Sequence, residues 1–217
     1  MYYPTLGEAR ELARYGNLIP VYCEIMADLE TPVSAYLKIA RGNYSFLLES
    51  VEGGEQLARY SFIGTEPALV LKTESNNPID PLPLIEKELA RFRLVTTSGL
   101  PRFHGGMVGY LGYEVARYFE ELPSPEPDPL GLPESVFMLA DTLLIFDHLT
   151  HKIKVVSHAH INGDVETAYH ETTDKIDSLV ARLRQPISPR HSSSASSSQS
   201  PAPGSSNLSQ AEFEERV

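Results

Sequence analysis

The sequence predicts an α+β fold in which a mainly antiparallel β-sheet packs with helices. Two observations indicate this class. Most strand-like segments follow one another across short turns, and the helical segments fall between them irregularly. A strict alternation of strands and helices would instead indicate a doubly wound parallel sheet. With 217 residues, of which 41 % are hydrophobic and 22 % charged, the chain can form one sizeable soluble domain.

The first elements carry clear start signals. Thr5 is a candidate N-cap for a helix over residues 5–15, and an apolar, strand-like run follows at residues 18–25. Thr31 can cap a second helix, and Pro32 suits its first position because proline has no amide proton to leave unpaired there. The elements expected after these are strands at 44–51, 58–65, 67–74 and 103–111, helices at 82–92 and 164–184, and a hairpin of 134–147 with 152–159.

The composition changes after residue 184. Residues 1–184 are predicted to form one domain, whereas residues 185–206 are rich in Ser, Pro and Gly and cannot bury enough apolar surface to fold. We therefore predict a flexible linker there. Residues 207–217 resume a helical pattern, with Ser209 and Glu212 spaced as a capping box. They are expected to be the first turns of a further domain, so that the chain is a fragment.

Charge and composition exclude several classes of partner. The formal net charge of −11 would repel a phosphate backbone, so nucleic-acid binding is not expected. No apolar run approaches the roughly 20 residues of a membrane span, and the N-terminus does not resemble a signal peptide. The lone cysteine, Cys23, lies in an apolar run and is expected to be a buried, inert thiol. A single cysteine also fits the reducing cytoplasm.

Residues 46–64, FLLESVEGGEQLARYSFIG, place acidic residues and two glycines between two strand-like runs. Paired carboxylates are typical of general acid–base catalysis, but Glu52 and Glu55 lie in or beside the turn and are expected to be solvated. Alternation places Glu49 on one strand face with Leu47 and Val51. Neither GxxxxGK[ST] nor GxGxxG is present, so a phosphate loop is not expected. Gly53-Gly54 suits a tight hairpin turn, and no catalytic residue is predicted here.

A hydroxyl among apolar neighbours marks the same stretch. Strand alternation places Ser50 on one face with Phe46 and Leu48. A buried hydroxyl needs a hydrogen-bond partner. Two interpretations stay open: Ser50 bonds a neighbouring backbone group, or it orients a ligand inside an apolar pocket.

Histidines gather in and after the predicted hairpin. His158 and His160 can share one strand face, with His148 and His151 nearby. A zinc site would need three or four ligands at a recognisable spacing, and neither a second cysteine nor an HExxH pattern supports one. Surface histidines and no metal site are therefore predicted.

Several motifs in order carry a family resemblance. LLESVEGGEQLARYSFIG closely resembles the LLES…RYSFIG signature of the large subunit of anthranilate synthase, component I. The segments around it resemble the same family: PVYCEIMADLETPVSAYLKIA upstream, GGMVGYLGYEVARYFEELP and LADTLLIFDHLTHKIKVV downstream. The resemblance covers nearly all of residues 10–184. The alternatives are the homologous aminodeoxychorismate synthase component I and a stand-alone tryptophan-binding module.

The resemblance implies a function for the whole enzyme and a role for this part of it. The family converts chorismate with glutamine or ammonia to anthranilate and pyruvate, the first step of tryptophan biosynthesis. Chorismate and Mg²⁺ would be held by a catalytic half of which 207–217 is only the start, so the chain alone is expected to be inactive, without a cofactor of its own. Residues 1–184 would be the regulatory domain. The partners implied are L-tryptophan as feedback inhibitor and a glutamine amidotransferase subunit, component II.

The resemblance also assigns the inhibitor site to specific residues. Ser50 is the implied main contact of L-tryptophan, with Leu48 and Glu49 as further contacts and Pro32 as a supporting residue at the helix start. An apolar strand face can hold the indole, and a hydroxyl can bond the carboxylate or the ammonium group.

Overall fold

The computed structural model describes residues 1–49, 59–74, 79–122, 131–187 and 209–216. The chain divides into two units, Met1–Ile187 and Ser188–Val217. The first unit contains helices and two antiparallel sheets, so the predicted α+β class is confirmed.

The helices of the first unit are α1 (Leu6–Leu12), α2 (Pro32–Ile39), α3 (Pro81–Leu89) and α4 (Val165–Leu183), with a 3-10 helix at Tyr113–Tyr118. Its strands are β1 (Leu18–Met26), β2 (Ser45–Leu48), β3 (Tyr60–Thr65), β4 (Leu69–Thr73), β5 (Gly106–Leu111), β6 (Ser135–Ala140), β7 (Thr142–Asp147) and β8 (Lys152–His160). The five-stranded sheet has the order β1-β8-β7-β3-β2, and the three-stranded sheet has the order β4-β6-β5. Every strand pair is antiparallel.

The predicted helix starts are confirmed by capping contacts. The Thr5 side chain accepts from the Glu8 amide while the Glu8 carboxylate accepts from the Thr5 amide, a reciprocal capping box at α1. Thr31 caps α2 in the same way through Ser34, and Pro32 occupies the first turn. These local bonds satisfy backbone donors that have no partner inside the helix.

The predicted strand at 134–147 is wrong in one respect, because the chain changes sheets within it. Residues up to Ala140 form β6 of the three-stranded sheet, and residues from Thr142 form β7 of the five-stranded sheet. Asp141 lies between them, and its carbonyl accepts a hydrogen bond from the amide of His158. The predicted hairpin is confirmed for β7 and β8, which pair with each other, but β6 is not part of it.

The core lies on both faces of the five-stranded sheet. Helices α2 and α4 pack on one face, in a cluster that includes Ile39, Leu144 and Ile176. Leu143 and Ile145 alternate onto the opposite face and form a second, smaller cluster with Tyr22 and Val156. Strand β7 is therefore buried on both faces, which explains the apolar run of its residues 143–146.

The second unit is described only over residues 209–216. Helix α5 (Gln210–Arg216) follows Ser209, whose hydroxyl accepts from the Glu212 amide while the Glu212 carboxylate accepts from the Ser209 amide. The predicted capping box is confirmed. The predicted linker lies mostly outside the described residues. Among the residues that are described, no helix is long and apolar enough to cross a membrane.

Candidate functional site

An open, largely apolar groove of about 790 Å³ is lined by residues of both sheets. We call it the inter-sheet groove. The residues that line it are Leu47, Leu48, Glu49, Tyr60, Phe62, Phe103, Met107, Val108, Gly109 and Phe137. Its volume is within the range of small-molecule sites, and its lining is mainly apolar with few polar groups, as in most ligand pockets.

Strand pairing explains which side chains reach the groove. Leu48 of β2 lies opposite Phe62 of β3, so the two share one face of the five-stranded sheet. Leu47 and Ile63 form the neighbouring pair, and both contact the core cluster on the other face, although Leu47 also borders the groove. Leu48 remains 45 % exposed, which is unusual for a leucine within a strand of a sheet. The groove side of β2 is thus apolar and open.

Aromatic rings form one wall of the groove. Phe62 and Phe103 meet edge to face, with ring centroids 5.0 Å apart and planes at 84°. Tyr60 lies 6.2 Å from Phe62, and burial raises the pKa of its phenol. Such a wall favours an aromatic ligand, because ring pairs in these geometries are stabilising beyond their buried area.

Charged groups of both signs lie at the margins of this wall. The exposed Glu49 follows β2 and lines the groove. The Arg59 guanidinium lies over the Tyr60 ring, 4.8 Å from its centroid. Arg59 is held by Asp147 through two hydrogen bonds. The apolar wall with the acidic Glu49 in its lining suits an aromatic molecule that carries an ammonium group.

The structure brings together two of the four predicted site residues. Leu48 and Glu49 line the inter-sheet groove. Ser50 lies outside the described residues, as do Glu52 and Glu55. Pro32 is buried at the start of α2, which packs on the face of the sheet that carries Ile63, opposite to Phe62. Pro32 is not among the described residues that line the groove.

Sequence reasoning missed the aromatic wall. Phe62 was identifiable in principle, because period-two alternation in RYSFIG places it with Tyr60. Phe103 carries no local signal, since it precedes β5 and reaches the groove only because the two sheets meet. Met107 contributes for the same reason.

The prediction of surface histidines is wrong for His158, which is only 4 % exposed. Its ring lies edge to edge with that of His104, and burial lowers its pKa to about 4. Burial also lowers the pKa of His104. In the described part of the chain, no group of three or more His, Cys, Asp or Glu residues is arranged to hold a metal ion.

Cys23 is a free thiol in the core, as predicted. Burial raises its pKa, which lowers the fraction of reactive thiolate at neutral pH.

Comparison of the sequence and fold with known proteins shows the class to which this protein belongs. Residues 43–217 match the family model described as chorismate binding enzyme. The chain therefore belongs to the family of chorismate-binding enzymes. Within it, the resemblance to anthranilate synthase component I is confirmed by curated relatives and by a solved structure.

Two curated relatives illustrate the similarity. The chain is 41 % identical over 192 residues to anthranilate synthase component 1 of Acetivibrio thermocellus, covering 82 % of this chain and 39 % of that protein. It is 42 % identical over 193 residues to the probable anthranilate synthase component 1 of Schizosaccharomyces pombe, covering 86 % and 39 %. The chain thus spans about two fifths of the length of these relatives.

A solved structure agrees in fold. The crystal structure of anthranilate synthase component I from Streptococcus pneumoniae TIGR4 matches with a TM-score of 0.51 and 26 % identity. The match covers 75 % of this chain and 37 % of that one.

Proposed function

We propose that this chain is the tryptophan-sensing part of an anthranilate synthase component I. The whole enzyme would form anthranilate and pyruvate from chorismate, with ammonia supplied directly or from glutamine by a component II partner. The relatives named anthranilate synthase component 1 support the enzyme, and the inter-sheet groove supports the sensing role. The single observation that carries the proposal is an aromatic-walled groove on the strand that begins the LLES motif.

The groove chemistry suits tryptophan. The indole would pack on the wall formed by Phe62 and Phe103, and the ammonium group would face Glu49. Ser50 remains the sequence-based candidate for a hydroxyl contact. Inhibition requires that tryptophan bind one conformation of the enzyme more tightly than another, with a coupling of about 1–3 kcal/mol.

The reaction itself is proposed to take place outside the described residues. Mg²⁺ is expected in the catalytic half, and no metal-binding group of the kind described above lies in the described part of this chain. The described residues are assigned no catalytic role, and we expect the chain alone to form no anthranilate. A cytoplasmic location fits the proposal, since the one cysteine is a free thiol.

The proposal is tested in the whole enzyme by following anthranilate fluorescence with chorismate, Mg²⁺ and ammonium. Tryptophan should inhibit the wild type, and Leu48→Asp should raise the concentration for half inhibition by about tenfold or more, since it places a charge in the apolar groove. Leu82→Asp is the matched control, because Leu82 is similarly exposed but lies on α3.

Each rate is compared with the uninhibited rate of the same variant. If Leu48→Asp is inhibited by tryptophan as strongly as the wild type, the groove is not the sensing site. If the wild type forms aminodeoxychorismate instead of anthranilate, the folate-pathway alternative is correct.

A further inference from the structure

A pair of nearly coplanar histidines, joined edge to edge, links the groove wall to the five-stranded sheet. The rings of His104 and His158 are 5.4 Å apart with planes at 18°, and Nδ1 of His104 lies 3.2 Å from Nε2 of His158. His104 directly follows Phe103 and precedes β5 of the three-stranded sheet, whereas His158 lies in β8 of the five-stranded sheet. The contact is a side-chain link between the two sheets, next to the groove.

The hydrogen bonds of His158 determine which nitrogen atoms carry protons. Nδ1 of His158 lies 2.9 Å from the carbonyl oxygen of Asp141. Because a carbonyl only accepts, Nδ1 of His158 donates to it. In a neutral imidazole the other nitrogen is then an acceptor. Nδ1 of His104 must therefore donate to Nε2 of His158, and both tautomers are fixed.

The backbone of Gly105, next to His104, also packs closely against the ring of His158. A Cβ atom on Gly105 would lie 2.5 Å from Cε1 of His158 and 3.0 Å from the carbonyl oxygen of Ala140. Only glycine allows this approach of the backbone to the ring. Residues 103–105 are thus held against β8 by one hydrogen bond and by close packing.

We propose that His104 is a positioning residue for the inter-sheet groove. Through His158 it holds Phe103 edge to face against Phe62 and so fixes the aromatic wall that a ligand ring would contact. Phe103 has no strand pairing of its own, since β5 begins at Gly106. Phe103 packs against the second hydrophobic cluster, as Phe62 does, and the side-chain link at the next residue adds a directional contact that holds it there. The identity of the ligand rests on the proposed function, whereas the positioning of Phe103 does not.

The first test is independent of any ligand. Amide hydrogen exchange of the 217-residue chain is measured by mass spectrometry for wild type, His104→Leu and His104→Asn. His104→Leu should accelerate exchange in peptides covering 103–111 by about tenfold relative to the wild type, because the donor to His158 is lost. His104→Asn should be closer to the wild type, since its amide N–H can donate to His158. Peptides covering β1 should be unchanged in both variants.

The second test measures the ligand in the whole enzyme. His104→Leu should raise the tryptophan concentration for half inhibition by about tenfold, and His104→Asn should restore most of the sensitivity. The KM for chorismate should change much less, because a general loss of folding would affect both. His170→Leu is the control, since His170 is exposed on α4.

The outcomes separate the two proposals. Exchange in residues 103–111 that is equal in His104→Leu and the wild type overturns the positioning role, whatever tryptophan does. Faster exchange with unchanged inhibition overturns its connection to the ligand site. A wild-type enzyme that tryptophan does not inhibit overturns the proposed function, and the exchange data then decide the positioning role alone.

Discussion

Arg59 and Asp147 form a bidentate ion pair, with Nε of Arg59 donating to Oδ1 of Asp147 at 3.0 Å and Nη2 donating to Oδ2 at 2.7 Å. Arg59 directly precedes β3, and Asp147 ends β7 and is only 3 % exposed. The amides of Leu149 and Thr150 also donate to Asp147. One buried carboxylate therefore joins the start of β3 to the turn between β7 and β8, beside the groove residue Tyr60.

This carboxylate predicts a pH dependence of stability. Burial raises the pKa of Asp147, but hydrogen bonds from Arg59 and Thr150 outweigh it and hold the pKa below its usual value. Because the folded state favours the ionised form, its contribution is present above the pKa of the unfolded chain. It is lost as the pH falls through the folded value.

Asp147→Asn should therefore lower the free energy of unfolding at pH 7 and weaken its dependence on pH below about 4. Urea unfolding at pH 7 and pH 3 measures both effects. The exposed Asp28→Asn is the control and should change neither. An Asp147→Asn protein with wild-type stability at pH 7 would contradict the role of the pair.

His158 predicts a proton linkage of the same sign as that of Asp147, but in a higher pH range. Burial lowers its pKa to about 4, so the fold favours the neutral ring. The stabilisation is complete above the unfolded pKa of about 6.5 and falls as the pH drops toward 4. For the wild type we expect the free energy of unfolding to drop by about 2 kcal/mol between pH 7 and pH 5.

The comparison for this prediction is His158→Gln, which has no group that titrates in that range. Chemical denaturation of both proteins at several pH values gives the difference. If the two curves run parallel between pH 7 and pH 5, His158 is not the group that takes up the proton.

Two glycines predict opposite effects of the same substitution. A Cβ on Gly109 would lie 1.9 Å from the carbonyl oxygen of Val136 and 2.8 Å from Cα of Phe137, so Gly109→Ala must push β5 away from β6. We expect a loss of about 3 kcal/mol or more. Gly7 in α1 has nothing within 4 Å of such an atom, and Gly7→Ala should stabilise by about 0.5 kcal/mol. Thermal unfolding of both variants measures these changes in stability. Equal changes in the two variants would contradict the close approach of β5 and β6.

The packing of α4 on the five-stranded sheet predicts a cavity effect. Ile176 is fully buried in the core cluster, so Ile176→Ala should lower the free energy of unfolding by about 2–5 kcal/mol. Val33 on α2 is half exposed, and Val33→Ala should change the free energy of unfolding by less than about 0.5 kcal/mol. Urea unfolding with equal losses in both variants would show that α4 does not pack as described.

Local chemistry made several elements predictable. Thr5 and Thr31 marked helix starts because their hydroxyls satisfy nearby backbone donors, an interaction that spans three residues. The sheet change at Asp141 was not predictable in this way. The run from Ser135 to Asp147 is apolar almost throughout, because β6 and β7 each lie inside a sheet with a neighbouring strand on either side. No glycine or proline marks the point where the chain crosses from one sheet to the other.

The candidate site was likewise predictable only in part. Leu48 and Glu49 were assigned through the family resemblance, and alternation placed Leu48 on one strand face. His158 was misplaced on the surface because alternation reports a face of a strand but not what covers that face. Here His104, distant in sequence, covers it.

The sequence by itself determined the fold class, the capped helices, the buried thiol of Cys23 and the family, because these depend on contacts within a few residues or on motifs in order. Only the tertiary structure decided that Phe62 and Phe103 form one wall, and that His104 and His158 form a pair. The physical reason is that these contacts join different sheets. Their geometry depends on where the chain crosses at Asp141, and no periodicity within either strand reports that position.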